Sequence, residues 1–200
     1  MLGQRIVTAV VLLALLVPAL AAQASAPFLA LTLVLITAGG WEWGRLNGFG
    51  FGASVAGGIV LALACIAAWA LGWTAQTPAA VWWLAGVVWI VGGALALRAG
   101  PAAWPSLPAG LRAVLGGVAL WAAWLALASA RAMGLGFILS VLCVVWMADI
   151  AAYAGGRAFG RHKLAPSISP GKSWEGVASG LLGVMLLAAG WLAWQAAAEG

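Results

Sequence analysis

Met133 to Tyr153, MGLGFILSVLCVVWMADIAAY, is a run of 21 residues carrying one charge. A bilayer core about 30 Å thick takes roughly 20 residues of apolar helix, so this run has the length and character of a crossing. The single charge, Asp149, lies near its end. A carboxylate among Val, Trp, Met and Ala costs ~2.5 to 3.5 kcal/mol near the bilayer centre and less toward the interface, so it needs a partner or a purpose. Tyr153 follows four residues later and shares its helical face. Two readings stay open for Asp149: a structural ion pair with Arg157 or Arg161, or a metal ligand facing a polar cavity.

Runs of the same kind recur on both sides. Polar punctuation divides the chain into seven, over residues 6–22, 27–43, 51–73, 79–97, 111–128, 133–153 and 176–196. The expectation is an all-α, polytopic integral membrane protein of about seven transmembrane helices, forming a single membrane domain over 1–200. Composition agrees: 66% of residues are apolar and 6% are charged, where soluble domains carry roughly 25% charged residues. That excludes a soluble globule. The net charge of +5 forms no basic stripe on a soluble face and accompanies no recognition motif, so nucleic acid is not an expected partner. Cys65 and Cys143 lie in apolar runs without a second ligand at zinc spacing, and read as small hydrophobes. Gly40/Gly44 and Gly176/Gly180 are small-xxx-small pairs suited to close helix packing, and they leave a homodimer open as a partner.

Orientation follows from the cations. With a cytoplasmic N-terminus, Arg5, Arg45, Arg98, Arg112, Arg157, Arg161, Lys163 and Lys172 fall on the cytoplasmic side, eight of the nine, and only Arg131 falls opposite. The expected location is therefore the cell (inner) membrane, with Gly200 on the far face. Trp41, Trp43, Trp69, Trp73, Trp82, Trp191 and Trp194 fall near helix ends, where an aromatic belt belongs. A rival reading at the N-terminus is a cleaved signal peptide, since Arg5, an apolar run and Ala22-Gln23-Ala24 fit that pattern too. The orientation of the other helices is the same either way.

One separator is large enough to hold a site, the polar stretch of residues 154–175. It gathers Arg157, Arg161, His162, Lys163 and Lys172 with Ser167, Ser169 and Ser173, directly after Asp149 and directly before a new helix. This is an anion-binding composition at a membrane surface. Either Ser169 caps that helix with Pro170 as its first residue, or Ser173 caps it with Glu175 in the first turn. Both place a helix N-terminus with free backbone N–H groups beside Lys172, an arrangement that holds phosphate. The plainer reading makes these cations a topogenic positive-inside cluster and His162 a solvated loop residue. A P-loop is excluded, because Pro166 stands five positions before Gly171 and no strand precedes the segment.

From Asp149-Ile-Ala-Ala-Tyr153 through Gly156-Arg157-Ala-Phe159-Gly160-Arg161-His162-Lys163-Leu164-Ala165-Pro166 to Ser169-Pro170-Gly171-Lys172-Ser173-Trp174-Glu175-Gly176, the chain resembles the central motif block of the phosphatidate cytidylyltransferases. Trp41-Glu42-Trp43-Gly44 and Gly48-Phe49 are similar to that family's second-helix ending. The resemblance implies transfer of a cytidylyl group from CTP to phosphatidate, giving CDP-diacylglycerol and pyrophosphate, with Mg²⁺ or another divalent cation and with membrane lipid around the site. It implies Asp149 and Lys172 as catalytic residues, with Asp149 also a metal ligand. Tyr153, Arg157, Arg161, Lys163, Ser169, Ser173 and Glu175 become substrate-binding residues. The family's C-terminal signature, a Lys-Arg pair followed by Lys-Asp, His-Gly-Gly and Asp-Arg-x-x-Asp, has no counterpart in the 200 residues. The remaining family metal ligands are thus absent, and the expectation is a C-terminally truncated chain, incomplete for catalysis. The competing readings are a non-catalytic scaffold or degenerate homologue, and a small-solute transporter. A transporter predicts ionisable groups near the midplane of paired repeats, whereas these charges gather at one surface.

Overall fold

Backbone N–H and C=O groups find no water in lipid, so apolar runs of this length satisfy them internally as helices. The computed structural model describes residues 2–199; the Gly200 terminus lies outside the described residues. The helices are α1 (Leu2–Ala21), α2 (Ala26–Leu46), α3 (Phe51–Ala70), α4 (Ala79–Ala99, with a π-helical turn at Val88–Gly92), α5 (Ala109–Ala132), α6 (Leu135–Phe159) and α7 (Trp174–Glu199). A 3₁₀ turn, Pro101–Ser106, lies between α4 and α5. Among the described residues, α2 to α7 are each long and apolar enough to cross a membrane, while the apolar part of α1, Ile6–Ala21, is shorter.

Helix ends shift by a few residues from the sequence expectation, and three departures bear on packing and on the site. The third helix ends at Ala70 instead of reaching Trp73, because Gly72 turns the chain at φ +75°. Ser129 to Ala132, expected as a separator, is helical. Its side chains reach distant partners: the Ser129 and Thr77 hydroxyls meet at 3.1 Å, and the buried Arg131 donates from Nη2 to the Ala22 carbonyl, while its Nε has no partner among the described residues. The chain turns instead at Gly134, φ +117°. The polar stretch 154–175 is not an open loop. α6 runs on to Phe159, and an antiparallel hairpin follows, β1 (Lys163–Ala165) with β2 (Ser169–Ser173).

The chain packs as two compact units, one of residues 1–94 and 103–138, the other of 95–102 and 139–200. In the first, α2 and α3 form an antiparallel hairpin closed by small residues. A Cβ at Gly40 would lie 2.9 Å from a Leu61 methyl, and one at Gly44 2.9 Å from the Ser54 hydroxyl. The indole of Trp43 lies over Gly116 of α5 and donates from Nε1 to the Arg112 carbonyl at 3.1 Å. Leu29, Cys65, Trp124 and Leu125 are buried in this unit.

In the second unit α6 and α7 run antiparallel along a seam of small side chains. A Cβ on Gly176 would approach the Ala152 carbonyl to 2.9 Å, one on Gly180 the Ala148 carbonyl to 3.1 Å, and one on Gly183 the Ala151 methyl to 2.6 Å. A Cβ on Gly155 would overlap the Ser179 hydroxyl. Both small-xxx-small pairs therefore serve contacts within the chain.

Candidate anion-binding site at the α6–hairpin–α7 junction

The junction is built from three turns of α6, the hairpin and the start of α7, all in the second unit. Asp149, Tyr153 and Arg157 recur at four-residue spacing along α6, and all three are exposed. Arg157 donates from Nη1 to the Tyr153 hydroxyl at 3.1 Å. Asp149 makes no ion pair among the described residues, so the structural pairing with Arg157 or Arg161 is not formed. An exposed carboxylate without an ion-pair partner, on α6 about three turns before Phe159, remains free to meet a ligand.

α6 ends where a close approach leaves room only for glycine. A Cβ at Gly160 would overlap the Gly156 carbonyl and lie 2.8 Å from the Ser173 hydroxyl. The chain then turns through Arg161 and His162 into β1, crosses Pro166 to Ile168, and returns along β2, with Lys163 opposite Ser173 and Ala165 opposite Ser169. Pro170 lies within β2, which a two-stranded hairpin tolerates because one edge needs no ladder N–H. This corrects the reading of Ser169 and Pro170 as N-cap and first helical residue. Ser173 is the cap: it is buried, and its hydroxyl accepts from the Gly176 N–H at 3.2 Å.

The expectation of a free helix N-terminus beside Lys172 is corrected as well. The Trp174 N–H donates to the His162 carbonyl at 2.9 Å, the Gly176 N–H is held by Ser173, and the Glu175 carboxylate sits in the first turn. That carboxylate takes the place at the helix terminus where an external anion would bind. It accepts from the Arg161 N–H at 3.1 Å and the His162 N–H at 3.2 Å, and lies 2.6 Å from His162 Nδ1. Thus His162 is solvent-exposed yet engaged, and its link to Glu175 across 13 residues was not read from sequence. The signal available was slight: Glu175 is the lone acid among five basic side chains between Arg157 and Glu175.

What remains is a cationic surface made of side chains. Arg157, Arg161, Lys163 and Lys172 are all exposed, and none is paired with a carboxylate among the described residues. Such a surface attracts phosphate through point charges and, at the two arginines, through forked donors. Ser169 is half-buried on β2. Glu42, at the end of α2, is exposed in the first unit.

Mg²⁺ is commonly bound by one or two carboxylates together with substrate phosphates, and Asp149 suits one such position. No group of three or more His, Cys, Asp or Glu side chains gathers among the described residues.

The cytidylyltransferase family matches this chain over residues 3–198. A protein of Pseudomonas aeruginosa named phosphatidate cytidylyltransferase is 37% identical over 187 residues, which cover 90% of this chain and 67% of the relative. Proteins of the same name from Haemophilus influenzae and Rickettsia bellii are 58% identical over 55 residues and 47% over 51. Those shorter matches cover 28% and 26% of this chain, and 19% and 22% of the relatives. No solved structure matches.

Proposed function

The chain belongs to the cytidylyltransferase family, and from that premise we propose that it serves the transfer of a cytidylyl group from CTP to phosphatidate in phospholipid synthesis. In that reaction a phosphate oxygen of phosphatidate attacks the α-phosphorus of CTP. A new P–O bond forms, the bond to the β-phosphate breaks, and pyrophosphate leaves with CDP-diacylglycerol as the other product. The nucleotide is water-borne and the lipid phosphate lies at the interface, so both reach a site at a helix end. The observation that carries the reading is the exposed Asp149–Tyr153–Arg157 face of α6 continuing into the unpaired cations Arg161, Lys163 and Lys172.

The roles divide by chemistry. Arg161, Lys163 and Lys172 hold phosphate oxygens and balance the charge that accumulates when two phosphorylated substrates meet. Arg157, steadied by Tyr153, adds a forked donor beside them. Asp149 would hold Mg²⁺, which when bound neutralises phosphate charge and polarises the reacting phosphoryl group. Lys172, adjacent to the buried cap Ser173, is the cation we assign to the reacting phosphates. The surface faces the cytoplasm at the inner membrane in this reading, as the distribution of basic residues favours.

Equilibrium dialysis of the purified chain in detergent against labelled CTP and Mg²⁺ tests it. Binding should weaken by on the order of tenfold for Arg161→Ala and again for Lys172→Ala, the loss of one charge-assisted contact each. Unchanged affinity in both variants would remove the hairpin from the nucleotide site.

A further inference from the structure

Four exposed cations in one short segment repel one another, and a hairpin of three and five residues has little core with which to resist. What ties this hairpin to the helices is Glu175. Its Oε2 accepts from the backbone N–H groups of both Arg161 and His162, and its Oε1 meets His162 Nδ1. The Trp174 N–H closes the same junction from the other side, on the His162 carbonyl. Two backbone donors of the turn that leaves α6 are thereby fastened to the first turn of α7. We propose that Glu175 is a positioning residue, whose carboxylate latches the Arg161–His162 turn onto α7 and so holds the cationic hairpin in its phosphate-receiving shape. The shape is read from the bonds alone; that phosphate is what it receives rests on the functional reading above.

The latch differs chemically from a direct role. A carboxylate that binds a metal ion or takes up a proton must keep its charge. A latch needs only acceptors in place. An amide oxygen accepts from the two N–H groups as Oε2 does, and the amide NH₂ donates to Nδ1 when the imidazole carries its proton on Nε2. Glu175→Gln therefore preserves the latch, and Glu175→Ala deletes it. His162→Ala removes one contact and leaves the backbone pair, so it should fall between them.

The test uses the 200-residue chain in detergent, with amide exchange followed on the peptide that contains Arg161 to Lys163 and CTP affinity measured by dialysis with Mg²⁺. In Glu175→Ala, exchange should quicken and CTP binding weaken, each by on the order of tenfold, as expected for losing hydrogen bonds to a charged group. Glu175→Gln should stay within about threefold of the unaltered chain in both. If Gln binds CTP as weakly as Ala, the charge itself is required and the positioning role is overturned. Unchanged exchange in Ala overturns the latch outright. Should Glu175→Ala fail to yield a monodisperse protein, His162→Ala takes its place, and exchange no faster than in the unaltered chain overturns the latch. Absence of CTP binding by the unaltered chain would sink the functional reading instead. Exchange in the Ala and Gln variants would then decide the latch by itself.

Discussion

Asp149 and Glu175 are the two acids of the second unit whose side chains the structure describes, and they are used in opposite ways. Glu175 is held by two backbone N–H groups and an imidazole, whereas Asp149 has no ion-pair partner and faces outward. An exposed carboxylate without an ion-pair partner adds no pairing to the fold, so replacing it with its isosteric amide should leave folding alone. Asp149→Asn is expected to lower cytidylyl transfer by on the order of 100-fold in an enzyme of this family that carries the same block. Its membrane yield should be unchanged. Breaking a buried structural pair would do the reverse, reducing folded protein. Near-normal CDP-diacylglycerol formation by a well-expressed Asp149→Asn protein would exclude the proposed role.

At the scale of elements, the α6–α7 seam sets where the site residues stand, because Gly155, Gly176, Gly180 and Gly183 let the two helices approach until Cβ atoms would collide. Gly180→Leu should force them apart at a cost of ~1 to 3 kcal/mol or more, seen as a lower unfolding temperature in detergent. Gly190→Leu on the same helix, where nothing lies within 4 Å of the added carbon, should melt like the unaltered chain. Equal behaviour of the two would mean the seam is not tightly packed. The helices were legible in sequence because a bilayer enforces length and apolarity run by run, whatever the tertiary contacts. The hairpin was not. Lys163 to Ser173 has no alternation of apolar and polar residues and includes Pro166, Pro170 and Gly171, so nothing local announces a strand. Its anchor, Glu175, stands 13 residues from the His162 it holds. Ser129 and Arg131 misled for the same reason, since polar groups read as a turn until Thr77 and the Ala22 carbonyl are known as their partners. Around the candidate site, the clustering of cations was readable and the contacts were not: which hydroxyl caps α7, and which acid is already engaged, depend on contacts between elements.

For the whole molecule, charge decides both orientation and what chemistry the 200 residues support. The positive-inside distribution is the ground for proposing that the hairpin faces the cytoplasm. Ser167, exposed at the hairpin turn, offers a reporter. Ser167→Cys should resist an impermeant maleimide applied to intact cells and react after permeabilisation, with the unaltered chain, whose Cys65 is buried and Cys143 half-buried, as control. Labelling from outside would invert the orientation and the route for CTP. The scarcity of acids bears on turnover. The chain has four: Glu42 is in the first unit, Asp149 is free, Glu175 is engaged, and the Glu199 side chain lies outside those described. Joining a phosphate nucleophile to a triphosphate brings several negative charges together, and transfer depends on metal ions held in a preorganised site. On the proposed roles, Asp149 with the cationic hairpin would gather phosphates but hold an ion weakly, so the bound state should form while the transition state stays poorly balanced. The 200-residue chain, purified and supplied with labelled CTP, phosphatidate and Mg²⁺, is therefore expected to bind CTP yet form no CDP-diacylglycerol above a protein-free control. Robust product from it would show that Asp149 and the hairpin cations suffice, and that a second fixed carboxylate is not required for this transfer.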